Sequence, residues 1–314
     1  MPVEPGENHS PMIAFVFPGQ GSQEVGMGSE LCRTSSQARQ VFDEADDALS
    51  IPLSQLCFNG PMDELRETIN SQPAILTASV AYLRGTHELN GTIRPAFVAG
   101  HSLGEYTALV AANVLDFADA VRLVRERGRL MHEAGKRNPG TMAAIIGLDE
   151  ASVDEVCRET GAQIANVNCP GQTVVSGTRE AIAQSMDLAQ RRGAVGTVAL
   201  EVSGAFHSVL MEPVVEEMKQ AISQVHFRPS EISIIANSTA TPMTSVEEIK
   251  EELIRQLCSC VRWQASVEYM AEAGVSTFVE IGPGIVLTKL IKRIAKGTQA
   301  LNVSDPESVK ALCA

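Results

Sequence analysis

Apolar and polar positions along the chain fall into two alternating rhythms. Short runs rich in Phe, Val and Ile, such as MIAFVF at 12–17 and RPAFVAG at 94–100, predict strands. Longer segments between them, SVAYLRGTHELN among these, predict helices. Strands alternating with helices predict an α/β fold with a mainly parallel sheet. From Thr141 to Val202 the rhythm tightens. TMAAIIGL reads as a strand, DEASVDEVCRETG as a helix, AQIANVNC and QTVVSG as two strands joined at Pro170-Gly171, REAIAQSMDLAQRRG as a helix and VGTVALEV as a strand. Strand-helix-strand-strand-helix-strand is the ferredoxin-like (βαββαβ) order. It predicts a small subdomain over 139–203, inserted into a larger α/β unit made of 11–138 and 204–314, with 1–10 as a flexible tail. EISIIANS, a helix from SVEEIKEELIRQLC, and STFVEI running into GPG and a basic helix then resume the larger pattern.

Composition narrows the class. A chain of 314 residues that is 44% hydrophobic can bury a sizeable core. No apolar run reaches the roughly 18–20 residues of a membrane span, and MPVEPGENHS lacks the basic and apolar regions of a signal peptide. Seven cysteines without a C-x-x-C pair predict neither a disulfide framework nor a zinc site. Cys258 and Cys260 read as buried or incidental thiols, and a reducing cytosol fits. No metal is expected. The net charge of −13 argues against nucleic acid or an anionic membrane as partner. Basic residues gather on two predicted helices: Arg122, Arg125, Arg127 and Arg129, and Lys289, Lys292, Arg293 and Lys296. The simplest reading of each is a solvated face.

The chemistry concentrates at two glycine-rich turns. FVFPGQGSQ, residues 15–23, is a strand entering a tight loop. It is not a phosphate cradle, because Glu24 stands where a dinucleotide fingerprint needs its third glycine and no lysine completes a P-loop. Gly100-His101-Ser102-Leu103-Gly104 is a G-x-S-x-G between a strand and a helix, the context of a nucleophile elbow. That turn places Ser102 at a helix N-terminus, where the Leu103 N–H can stabilise an oxyanion. The PGQG loop is the natural source of a second donor, the Gln20 N–H. Serine needs a base. Among His9, His87, His101, His132, His207 and His226, the one in GAFHS, His207, sits where the chain returns from the small subdomain to the larger one. The sequence assigns no acid to orient it, which leaves a backbone carbonyl as the acceptor for its Nδ1–H.

FVFPGQGSQ, QPA, GHSLGEY, RG followed by M, NCPGQ, GAFHS and EIGPG, in this order and spacing, resemble the malonyl-CoA:acyl carrier protein transacylases from about Met12 to Ile294. The resemblance implies an α/β-hydrolase-like core with an inserted ferredoxin-like lobe. It implies ping-pong transfer of malonyl through an ester on Ser102, with malonyl-CoA as donor, phosphopantetheine-bearing acyl carrier protein as acceptor and no bound cofactor. Arg127 then matches the arginine that grips the malonyl carboxylate, and Phe206 a bulky residue that favours malonyl over methylmalonyl. Gln72 and Asn168 match polar residues near the site, and Met131 packs at the acyl group. Arg262 matches the residue whose backbone carbonyl orients the histidine. It lies in Ser259-Cys260-Val261-Arg262-Trp263, where the family often has Asn-Pro-Val-Arg/Gln-Trp. An acidic carrier protein meeting an acidic enzyme would need a local basic patch, for which Lys289, Lys292, Arg293 and Lys296 are the candidates. The alternatives are a serine esterase or thioesterase with the same elbow, a non-catalytic carrier-binding module, and a free-standing polyketide acyltransferase.

Overall fold

The computed structural model describes residues 11–91 and 93–312, so the expected tail at 1–10, with His9, lies outside the described residues. Among the described residues ten strands form two sheets. β1 (Met12–Phe17), β2 (Phe97–Gly100), β7 (Ser233–Ile235), β8 (Pro242–Met243), β9 (Val275–Ile281) and β10 (Gln299–Val303) make the larger one, in the order β10-β9-β1-β2-β7-β8. All its pairings are parallel except β7 with β8 at the edge. β1 is central because both its faces are apolar. Phe15 and Phe17 join one core cluster while Ala14 and Val16 join the other, as the period-two alternation of a strand requires. Helices Thr68–Asn90 and Phe117–Arg137 lie on the first side; Trp263–Glu272 and Val286–Ile294 lie on the second.

β3 (Thr141–Ile146), β4 (Gln163–Cys169), β5 (Gln172–Gly177) and β6 (Gly196–Ala199) form the second sheet, fully antiparallel, in the order β4-β5-β3-β6. One face buries Ala143, Ile145 and Val175 under helices Glu150–Thr160 and Arg179–Arg191. The other turns Met142, Ala144 and Val174 toward the larger unit, where they roof a cavity. The two expected strands of this segment that pair at Pro170-Gly171 meet the observed bounds closely, whereas VGTVALEV shortens to the four residues of β6. Of the four arginines expected to form a solvated helix face, only Arg122 is exposed. Arg127 is buried, Arg125 reaches the Ile69 carbonyl at 2.9 Å, and Arg129 is held by Glu126 and Glu133. The C-terminal basic helix ends at Ile294, so Lys296 lies just beyond it. Lys289, Lys292, Arg293 and Lys296 are exposed, and Arg293 also donates to Pro170 O and Gln172 Oε1 of the β4–β5 turn.

Candidate active site

The two glycine-rich turns meet because nothing but hydrogen fits between them. A Cβ on Gly19 would stand 2.4 Å from the His101 carbonyl oxygen, and one on Gly104 would stand 2.1 Å from that of Phe17. Gly100 packs as tightly, with Gly104 O 1.9 Å from its would-be Cβ. These contacts set the end of β1 against the elbow after β2. Ser102 there takes φ +52°, a left-handed conformation costing about 1–3 kcal/mol in a non-glycine residue. Asn237 holds the elbow in place: its Oδ1 accepts from Ser102 N at 2.7 Å, and its Nδ2 donates to Gly100 O at 2.7 Å.

Ser102 Oγ lies 2.7 Å from His207 Nε2. His207, also at positive φ (+58°), is buried, and its Nδ1 lies 2.8 Å from the Gln256 carbonyl oxygen. Burial first, and then the nearby Arg127 cation, push its pKa down from 6.5 to about 3. The imidazole is therefore neutral at ordinary pH, with a proton on Nδ1 for the carbonyl and a free Nε2 facing the hydroxyl. Such a pair can move the serine proton to the ring. The N–H groups of Gln20 and Leu103 make no backbone hydrogen bond to a protein acceptor among the described residues, leaving both free to point at a ligand.

The acceptor for His207 corrects the expectation for Arg262. The Arg262 carbonyl is taken up by Ser266, whose N–H and Oγ donate to it at 3.0 and 3.1 Å in the first turn of helix Trp263–Glu272. Helix Val246–Arg255 ends at Gln256, and a carbonyl at a helix C-terminus has no partner within its own helix, so that of Gln256 is available.

Arg127 lies at the floor of a cavity of about 520 Å³ that also exposes Ser102, His207, Gln20, Met131, Asn168 and Phe206. It is 1% exposed, and its partners are neutral: Gln72 Oε1 at 2.6 Å, Gln256 Oε1 at 2.7 Å and Ser102 Oγ at 3.2 Å. The Tyr106 ring lies under the guanidinium, 5.5 Å from its centroid. Gln72 extends the chain of contacts, donating to Thr68 Oγ1 at 2.9 Å and to Met131 Sδ at 3.3 Å. Thr68 in turn donates to Gln20 Oε1 at 3.0 Å. Asn168 Oδ1 lies 2.9 Å from His101 Nε2, and the ring in contact with Ser102 is that of His207. Three residues that support this arrangement escaped the sequence reading: Gln256, Asn237 and Glu105. Glu105 alone left a signal, as an acid one turn after Ser102 in an otherwise apolar helix. Its Oε1 accepts from Asn237 N at 2.9 Å and its Oε2 from Gln256 Nε2. Among the described residues no group of His, Cys, Asp and Glu is placed to hold a metal ion.

A serine on a strand-to-helix elbow, with a neutral histidine against it and a buried cation below, is a site for acyl chemistry. The acyl transferase domain model matches residues 14–311, and the chain is an acyltransferase. Within that family it belongs to the malonyl CoA-acyl carrier protein transacylases. Proteins so described from Bacillus subtilis (strain 168) and Escherichia coli (strain K12) are 46% and 43% identical to it, each over 95% of this chain and over 95% and 98% of the relative. The crystal structure of an acyl carrier protein S-malonyltransferase from Vibrio cholerae matches with TM-score 0.92 and 41% identity, covering 96% of this chain and 99% of that one. A malonyl-transacylase solved in complex with its type II PKS acyl-carrier protein matches with TM-score 0.93 and 41% identity, over 96% and 98% of the two chains.

Proposed function

We propose that the chain transfers malonyl from malonyl-CoA to the phosphopantetheine thiol of acyl carrier protein, for fatty acid or polyketide chain extension. The observation that carries this reading is Arg127. A buried cation whose partners are all neutral, 3.2 Å from a serine hydroxyl, fits an acyl group that ends in a carboxylate.

In the first half-reaction Ser102 Oγ attacks the thioester carbonyl as its proton passes to His207 Nε2. The oxyanion sits against the N–H groups of Gln20 and Leu103. Collapse breaks the C–S bond, and CoA leaves as the thiol with the proton from His207. In the second half the phosphopantetheine thiol gives its proton to the same nitrogen, attacks the malonyl-serine ester and releases the Ser102 hydroxyl. Gln256 O keeps the ring oriented through both halves. The steps draw on no bound cofactor. Phe206 and Met131 line the wall beside the α-carbon, where an added methyl would meet the ring of Phe206. Asn168 acts indirectly, by holding His101.

The same reading covers the architecture. The strand order of the smaller sheet supports a ferredoxin-like subdomain over about 139–203, and the parallel order of the larger supports a hydrolase-like core. The exposed cations at 289, 292, 293 and 296 are offered as the carrier-protein face. No helix among the described residues is long and apolar enough to cross a membrane, and a cytosolic enzyme fits the acidic, thiol-bearing chain.

The test is intact-protein mass after addition of malonyl-CoA and then holo acyl carrier protein. A malonyl adduct on the wild type, absent from Ser102→Ala and discharged by the carrier, is the expected result. An adduct lost to water within seconds would make the protein a hydrolase.

A further inference from the structure

The immediate surroundings of Arg127 contain an acid that is kept from touching it. Glu105 is fully buried on the helix after the elbow, where burial and then the nearby Glu252 push its carboxyl well above the usual carboxylate range, and its hydrogen bonds go to Asn237 and Gln256. Between them stands the side-chain amide of Gln256. Its Oε1 accepts from Arg127 Nη2 at 2.7 Å, while its Nε2 donates to Glu105 Oε2 and, at 2.9 Å, to the Ser102 carbonyl. The amide cannot turn over, because its NH₂ would then face a guanidinium and its oxygen the Ser102 carbonyl. On the other side Gln72 presents Oε1 to Arg127 Nη1 at 2.6 Å, fixed by its own donations to Thr68 and Met131. Two oriented amides thus hydrogen-bond the cation without neutralising it.

We propose that Gln72 and Gln256 are specificity-determining residues, which hold Arg127 in place yet deny it a protein counter-ion, so that only an acyl group with its own carboxylate completes the site. A buried cation left without an anion is costly. A malonyl group relieves that cost; an acetyl group leaves it in full and adds the desolvation of the remaining surface. This rests on the malonyl-transfer reading above and extends it from Arg127 to the pair of neutral residues that keep the arginine available.

Gln72→Glu is the direct test, since Gln72 touches neither the Ser102 backbone nor Glu105. The isosteric carboxylate would pair with Arg127 in the empty enzyme. Rates of adduct formation from malonyl-CoA and from acetyl-CoA are measured by intact mass for wild type, Gln72→Glu and the uncharged Gln72→Met. The expected result is a malonyl-to-acetyl ratio that falls at least roughly 100-fold in Gln72→Glu, as a competing buried charge pair would cause, while Gln72→Met still prefers malonyl. A ratio in Gln72→Glu within a few-fold of wild type overturns the proposal. So does an equal loss of both donors, which marks Gln72 as merely structural. Failure of the wild type to form a malonyl adduct would instead overturn the functional reading beneath it.

Discussion

His207 is oriented by the main chain of Gln256: the imidazole Nδ1 lies 2.8 Å from that carbonyl oxygen, where a serine hydrolase would place a carboxylate. A carbonyl fixes the tautomer and the ring plane, but it supplies no charge to stabilise an imidazolium. With burial and Arg127 both disfavouring protonation, the ring remains neutral down to a pH of about 3.

This neutrality predicts the pH dependence. Loading of malonyl, followed by intact mass between pH 4 and 8 in the early time regime, should show no acid limb at the ordinary histidine value of about 6.5. The sign for stability is equally fixed. The native pKa lies below the unfolded one, so the contribution is fully present above about pH 6.5 and is lost as pH falls toward about 3. His207→Gln should flatten that part of a curve of melting temperature against pH.

Removing the base should slow the chemistry without emptying the site. His207→Ala is expected to lower the rate of adduct formation about 10³-fold, with malonyl-CoA still protecting the protein in a thermal melt. Full loading speed in this variant would show that the serine has another base.

Gly104 makes the contact between the loop and the elbow possible. Gly104→Ala puts a methyl 2.1 Å from the Phe17 carbonyl oxygen, a backbone atom that cannot move aside cheaply. The expected cost is about 3 kcal/mol, read in urea unfolding, together with loss of loading. Gly196→Ala, with open space around its Cβ, serves as the control and should change stability by less than about 0.5 kcal/mol.

At the cavity mouth Arg66 and Glu201 form an ion pair of 3.4 Å between two largely exposed side chains, worth about 0–1 kcal/mol. Arg66→Ala should leave the melting temperature unchanged and raise the KM for malonyl-CoA several-fold, whereas Glu201→Gln should lower it. Identical KM values in all three proteins would show that this charged edge takes no part in binding the donor.

Lys289→Glu with Lys292→Glu should raise the KM for carrier protein about tenfold at low salt, an effect that shrinks as salt screens it. The rate of loading from malonyl-CoA should stay the same. A carrier KM that does not move would clear this face of any part in docking.

The chemistry of this protein is legible in its sequence wherever it is local. The elbow declares itself because a strained turn between a strand and a helix needs glycines at fixed offsets, and β1, β4 and β5 because they are short, largely buried runs rich in β-branched and aromatic residues or bounded by turn residues. β8 and β10 leave no such trace: one has two residues, and the other is mostly half-buried and lacks a clean alternation. Arg127 is one arginine among several on an amphipathic helix; its spacing from Val124 and Met131 sets it on the buried face, but an arginine there has no partner until helix Phe117–Arg137 packs against Thr68–Asn90. There a Cβ at Gly128 would meet the Thr68 carbonyl at 2.6 Å. The carbonyl that orients His207 depends on where helix Val246–Arg255 stops, and helix ends are the part of a sequence pattern that shifts most readily by a residue or two.

Arg293 is committed within the molecule, unlike Lys289 and Lys292 beside it. Its two donations to the β4–β5 turn clasp the smaller sheet to the basic helix at one edge of the cleft. An acidic visitor that drew this side chain to itself would unfasten the clasp at the moment of arrival. The cleft would then be free to widen along that edge, so that one exposed side chain links surface charge to the spacing of the two sheets.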